Sequence, residues 1–236
     1  MNNKKILAVI PARGGSKGIQ NKNITDVGGS PLIKYTIDAA LKSTMLTHCI
    51  VSTDSNKISD VAKSLGALVP FRRPEHLSND KALSLPVMQH AVEFMESLHG
   101  YQYDAIVMLQ PTTPLRKVED IDDSISLLLD TNADSVISVV EVEGYHPLRM
   151  KRVIDGCLVN YIDQGHEDMR PRQDLPPVYI RNGAIYATTR NTLMIEDSFT
   201  GKDSRAYIMP NERSVNIDTH QDLLLVQSYF KGKYEM

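Results

Sequence analysis

Residues 10–23, Ile-Pro-Ala-Arg-Gly-Gly-Ser-Lys-Gly-Ile-Gln-Asn-Lys-Asn, pack three glycines, three cations and a serine into a stretch too polar to be core. Gly14, Gly15 and Gly18 can take backbone angles closed to other residues, which lets the main chain approach a ligand closely. Consecutive N–H groups then converge on an oxyanion, as in a phosphate nest. Arg13, Lys17 and Lys22, with Ser16 among them, supply the charge that a triphosphate needs. Two familiar phosphate motifs do not fit: the lysine precedes Gly18 where a Walker A loop has it following, and Gly-x-Gly-x-x-Gly is absent. Neither a P-loop ATPase nor a dinucleotide-dependent dehydrogenase is indicated. On glycine content alone, a flexible basic turn between a strand and a helix serves as well.

Other residues could join this chemistry. Gln110-Pro111-Thr112-Thr113-Pro114-Leu115-Arg116 follows an apolar run, and two prolines stiffen the backbone where a strand would end. Gln110 would then stand at a strand tip and could read sugar hydroxyls. Asp54 ends another apolar run; as an N-cap for the next helix it would be purely structural. Asp218 next to Asn216-Ile217 is, taken alone, a helix-flanking residue.

The blocks together carry more. Ile-Pro-Ala-Arg-x-x-Ser-Lys-Gly with Lys22-Asn23 three residues on, then 110–116, then Asn182-Gly183-Ala184-Ile185-Tyr186, then 215–222, resemble in order the signatures of the acylneuraminate cytidylyltransferases. The resemblance implies transfer of CMP from CTP to the anomeric hydroxyl of a nine-carbon sugar acid, with release of pyrophosphate. It implies that Arg13, Gly14, Gly15, Ser16, Lys17, Lys22, Asn23, Arg73 and Ser84 hold the nucleotide, with Arg13, Lys22 and Asp218 catalytic. Gln110, Arg172, Asn182, Tyr186 and Phe199 would contact the sugar, although Arg172 would equally make a salt bridge on its own segment. Magnesium would lie on Asp218, with Asn216 where the family usually has a second carboxylate. A neutral amide can still offer oxygen to a hard cation but brings no charge, so Asp54 becomes a possible helper. Thr200 beside Phe199 replaces an aromatic residue of sialic-acid members, which favours a legionaminic-type analogue over N-acetylneuraminic acid.

These residues need elements to place them. Short apolar runs alternate with amphipathic stretches: Ile6–Ile10, a helix opened by Pro31 with Ile33, Ile37 and Leu41, His48–Ser52, a helix with Ile58, Val61, Ala62 and Leu65, and a short strand Ala67–Phe71. A helix from Ser84 to His99 carries Leu85, Met88, Val92, Met95 and Leu98; Ala105–Leu109, a helix Val118–Asp130 and Ser135–Val142 follow. The alternation predicts an α/β fold with a doubly wound, mostly parallel sheet. Residues 143–177 break the pattern, with Asp155-Gly156 between two strand-like runs predicting a hairpin. This excursion cannot bury itself well, so it is expected to be a lid or a dimerisation arm on one domain spanning 1–236. Thr219 and Asp222 predict a capping box before a last helix presenting Leu223, Val226 and Phe230.

Composition sets the bounds. At 236 residues with 42% hydrophobic content, the chain can bury one large core. A net charge of −3 gives no bulk attraction to nucleic acid and favours a small anionic ligand at the local basic cluster. The two cysteines, Cys49 and Cys157, lack metal spacing, as suits reduced thiols in a cytoplasmic protein. No targeting segment or membrane span is expected. The rival readings are a same-fold enzyme for an eight-carbon sugar acid, and a non-catalytic nucleotide or sugar sensor.

Overall fold

A computed structural model describes residues 4–15, 18–163, 165 and 169–232. Strand β1 (Ile6–Pro11) is followed by a small hairpin, β2 (Asp26–Val27) and β3 (Ser30–Pro31), helix α1 (Leu32–Lys42), β4 (His48–Ser52), α2 (Asn56–Ser64) and α3 (Ser84–His99). Then come β5 (Ala105–Leu109), α4 (Val118–Thr131), β6 (Ser135–Glu141), the hairpin β7 (Lys151–Ile154) and β8 (Cys157–Asn160), β9 (Tyr179–Thr189), α5 (Arg190–Met194), β10 (Ser204–Ile208) and α6 (His220–Gly232). The main sheet has the order β10-β6-β9-β5-β1-β4. Its pairs are parallel except those of β9, which runs antiparallel to both β5 and β6. The expected doubly wound, mostly parallel sheet is what the chain forms.

β1 and β5 are buried along almost their whole length, which is why they read as unbroken apolar runs and not as alternating ones. One face of the sheet packs on Ile33, Ile37, Ile58, Ile121, Ile125 and Leu128, from α1, α2 and α4. The other packs on Met88, Val92 and Met95 of α3 and Leu193 of α5. A smaller cluster joins Leu223 and Val226 of α6 to Val27, Leu32 and Ile217.

Three local expectations need correction. Leu41 and Leu98 keep the helical spacing but lie in the last turns of α1 and α3 and are exposed. Residues 67–71 form no regular strand; Pro70 offers no N–H, and only the isolated bridges Ile50↔Leu68 and Thr53↔Arg72 form. The cap of α2 is Ser55, whose hydroxyl accepts from Ile58 N, so Asp54 is free for another task. The predicted hairpin forms with Asp155 at φ 50° and Gly156 at φ 80°, the two left-handed positions of a primed turn.

The two thiols differ sharply. Burial pushes Cys49 up to about 12, with nearby Arg116 opposing the shift, whereas Cys157 is exposed. At pH 8, a disulfide reagent should titrate Cys157 in the folded protein and reach Cys49 only at the rate of unfolding. Two fast-reacting thiols in native protein would contradict this packing.

Candidate functional site

β1, β4 and β5 end side by side, and at their carboxyl ends lies a cleft of about 420 Å³. Open parallel sheets bind ligands there because loops diverge from the strand ends and leave a crevice. Arg13, Gly18, Lys22, Asn23, Arg73, Ser84, Gln110 and Asp218 all line it. Ser16 and Lys17 lie outside the described residues.

The opening loop is held from beneath. Ala12 N–H donates to Ser52 O (2.9 Å), and Gly14 N–H donates to the Asp54 carboxylate (2.8 Å). Asn23, nearly buried, donates through Nδ2 to Arg13 O (3.0 Å), so it braces the loop from inside the cleft wall. Gly18 has a steric reason: a Cβ there would come within 2.7 Å of Asp218 O, a backbone atom that cannot step aside cheaply. Gly15 meets nothing within 4 Å, leaving its backbone open to an incoming group.

Three cations converge on this space. Arg73 is buried, donates to Ser52 Oγ (3.0 Å) and to Ser52 O, and lies near Asp54. Burial brings its guanidinium down to about 10; Asp54 opposes that drop and the charge of Arg13 adds to it. Arg13 crosses the mouth to Asn79 O (3.0 Å) and the Asp80 carboxylate (3.1 Å). Lys22 Nζ donates to Ile217 O (2.7 Å) and Asp218 Oδ1 (3.0 Å). Ser84 opens α3, whose N-cap position, Leu83, supplies no side-chain hydrogen bond, so the positive end of that helix borders the cleft.

Asp218 is exposed, and both its oxygens have donors: Lys22 on one, Asn216 Nδ2 (2.7 Å) on the other. That contact turns Asn216 Oδ1 inward, where it is buried with no partner. Gln110 projects nearby; a Cβ on Gly183, whose φ is +78°, would sit 3.0 Å from its Oε1 and 3.9 Å from Asn216 Cγ.

The remaining sugar-site expectations land elsewhere. Asn182 is buried and fully engaged, accepting from Ser138 Oγ (2.6 Å) and Ala184 N (3.1 Å) and donating to Ser214 Oγ (3.0 Å) and Met209 Sδ (3.2 Å). It pins β9 to β6 and the 209–214 segment. Tyr186 and Phe199 pack ring to ring at 5.9 Å on the α3 face of the sheet, outside the cleft lining. Thr200 accepts from Ser135 Oγ at the amino end of β6. Arg172 pairs with Glu143 at 3.4 Å on the exposed arm, away from the cleft within this chain.

Sequence reasoning passed over Arg116. It is fully buried and donates to Ala184 O (3.0 Å), Thr36 Oγ1 (3.2 Å), Gln110 O (2.7 Å) and Thr113 Oγ1 (3.1 Å). Burial lowers it to about 10, with Asp120 opposing. Its signal was the stiff proline turn ahead of it, which has no hydrogen-bonding ladder of its own.

The family model described as "Cytidylyltransferase" matches residues 7–212. The chain is 34% identical to the pseudaminic acid cytidylyltransferase of Campylobacter jejuni, covering 98% of each. It is also 34% identical to the CMP-N,N'-diacetyllegionaminic acid synthase of Legionella pneumophila, again over 98% of each. Against an N-acylneuraminate cytidylyltransferase of Streptococcus agalactiae it is 35% identical over 94% of this chain and spans about half, 52%, of that relative. The solved structure of CMP:2-keto-3-deoxy-manno-octonic acid synthetase complexed with CTP superposes with a TM-score of 0.72 over 98% of this chain and all of that one, at 18% identity.

The packing of Gly18 and of Arg116 makes two predictions. Gly18→Ala should push residues 217–218 and the Lys22 contact aside, lowering turnover at least tenfold with a melting temperature within a few degrees of the parent. Arg116→Met should instead cost about 3–5 kcal/mol in urea unfolding, because four buried acceptors lose their donor.

Proposed function

The chain belongs to the cytidylyltransferase family, and from that premise we propose that it transfers CMP from CTP to the anomeric hydroxyl of a nonulosonic acid. As a family member it is a nucleotidyltransferase. The observation that carries the substrate reading is the convergence of Arg13, Lys22 and Arg73 on one cleft at the strand ends, beside Gln110 and Asp218. Three cations match a triphosphate, and the amide of Gln110, which has no hydrogen-bond partner among the described residues, suits a polyhydroxylated acceptor. Relatives named for pseudaminic and legionaminic acids support a bacterial nine-carbon acceptor.

In this reading the opening loop receives the β- and γ-phosphates against the open backbone at Gly15, with Arg13 and Lys22 offsetting the charge that grows on the leaving pyrophosphate. Arg73, Ser84 and Asn23 fix the nucleoside. The anomeric oxygen attacks the α-phosphorus, the bond from that phosphorus to the bridging oxygen of the β-phosphate breaks so that pyrophosphate departs, and the hydroxyl proton passes to solvent. Asp218 would hold magnesium with the phosphate oxygens; Asn216, whose Nδ2 donates to Asp218 and whose Oδ1 is buried without a donor, would join that set by turning its amide over to present Oδ1. One carboxylate plus substrate phosphates is an ordinary magnesium environment, so the residues fit the ion. When bound, the ion supplies charge neutralisation across the phosphates. Asp54 instead holds Gly14 and stays with the loop.

The single catalytic unit of 1–236 would act as a homodimer. The arm exposes Val153 (72%), Leu158 (74%) and Met169 (79%), apolar surface that a second copy would cover. No helix among the described residues is long and apolar enough to cross a membrane. The free thiols of Cys49 and Cys157 support a reducing, cytoplasmic setting for the enzyme.

CTP-dependent pyrophosphate release with a panel of sugar acids tests the reading; no release with any nine-carbon acid would refute it. Arg13→Ala should lower kcat/KM by about 10²–10³ with an unchanged unfolding curve, the usual effect of removing one preorganised donor. Asn216→Asp should lower the magnesium concentration for half-maximal rate, whereas an unchanged requirement would take this position out of the metal set. Sedimentation at assay concentration should give a dimer, and Leu158→Asp should shift it toward monomer.

A further inference from the structure

Two carboxylates line a cleft otherwise arranged for an anion. Asp218 has a role in the reading above; Asp80 does not, and it lies on the opposite lip. The segment bearing it is well tied: Ser78 Oγ donates to Pro74 O (3.0 Å), Asn79 Nδ2 to His76 O (2.9 Å), and Lys81 N to Asn79 Oδ1 (2.9 Å). Arg13 reaches across and places one nitrogen, Nη1, on both Asn79 O (3.0 Å) and Asp80 Oδ1 (3.1 Å). The same guanidinium faces the space that the triphosphate would fill, so it has two anionic claimants.

We propose that Asp80 is a resident counter-ion for Arg13, competing with the polyphosphate and setting the threshold of negative charge that a ligand must bring. This rests on the triphosphate reading of the cleft. With no ligand, Arg13, Lys22 and Arg73 would repel one another, and the carboxylates of Asp80 and Asp218 offset that repulsion. A polyphosphate replaces the carboxylate at Arg13 and must outbid it. The pair is partly exposed, with side chains 32% and 47% accessible, so the exchange is easy and the competition is modest. Asp80 is thus a specificity-determining residue for the phosphate end of the nucleotide. Asn79 O would keep Arg13 in position if Asp80 lost its charge, so a substitution there tests charge apart from geometry.

The test uses the full chain, with inorganic pyrophosphate as the probe, titrated by calorimetry at low salt in a chelator. Asp80→Asn should bind pyrophosphate about two- to fivefold more tightly, as removal of a partly exposed competing pair allows, and the gain should shrink as salt is raised. Asp60→Asn on exposed α2 makes the same change in net charge at a distance and should bind as the parent does. Weaker binding by Asp80→Asn, or an equal gain from Asp60→Asn, would overturn the proposal. Arg13→Ala separates the two levels: if it leaves pyrophosphate affinity unchanged, the triphosphate reading of the loop falls. If it weakens binding while Asp80→Asn brings no gain, only the counter-ion role fails.

Discussion

A guanidinium cut off from water must find its hydrogen bonds in the protein or pull the protein apart, and Arg116 finds four. Its partners come from α1, from the turn after β5 and from β9; β5 and β9 are already paired through Leu109 and Ile185, and the arginine ties α1 and the turn to that pair. Pro111 and Pro114 deprive that turn of donors, and the arginine fills the deficit. The charge itself is compensated at a distance by Asp120, which is buried and also accepts from Arg213 (2.9 Å) and Tyr207 (3.1 Å). Gln110 therefore stands at the cleft because a cation behind it grips its own carbonyl oxygen.

The cleft obeys the same economy of charge on its wet side. Arg73 is buried against Ser52 close to Asp54, while Arg13 and Lys22 each rest on a carboxylate. These two cations of the cleft are held in neutralised form. Of the three, Arg73, the innermost, is tied to main chain and hydroxyl instead of to an ion-pair partner.

Much of this was legible in advance, for identifiable reasons. Buried parallel strands such as Ala105–Leu109 announce themselves as unbroken apolar runs, and Asp155-Gly156 demands left-handed backbone whatever surrounds it. The loop at 10–23 is visible because glycines and cations crowd a segment that cannot be core. The cleft partners Asn79 and Asp80 were not legible, since an exposed Asn-Asp pair is ordinary loop composition until Arg13 is seen to lean on it. Asn182 was marked by its family block alone, and nothing in its spacing announces that its amide is engaged by Ser138, Ser214 and the backbone. Side-chain satisfaction is a tertiary property that spacing does not encode.

The reversed direction of β9 has a topological consequence. In a purely parallel sheet every strand enters at the end remote from the ligand, and an excursion before such a strand would have to travel the height of the sheet to reach it. Here β6 exits and β9 enters at the same edge, and Val142 N–H bonds Val178 O (2.8 Å) where the arm leaves and returns. The arm is thus a closed insertion hung on a fixed clasp. Doubling the length of such a loop costs only about 0.6 kcal/mol of closure entropy. Its tip can be lengthened, shortened or exchanged as a cassette while the sheet beneath it keeps its geometry.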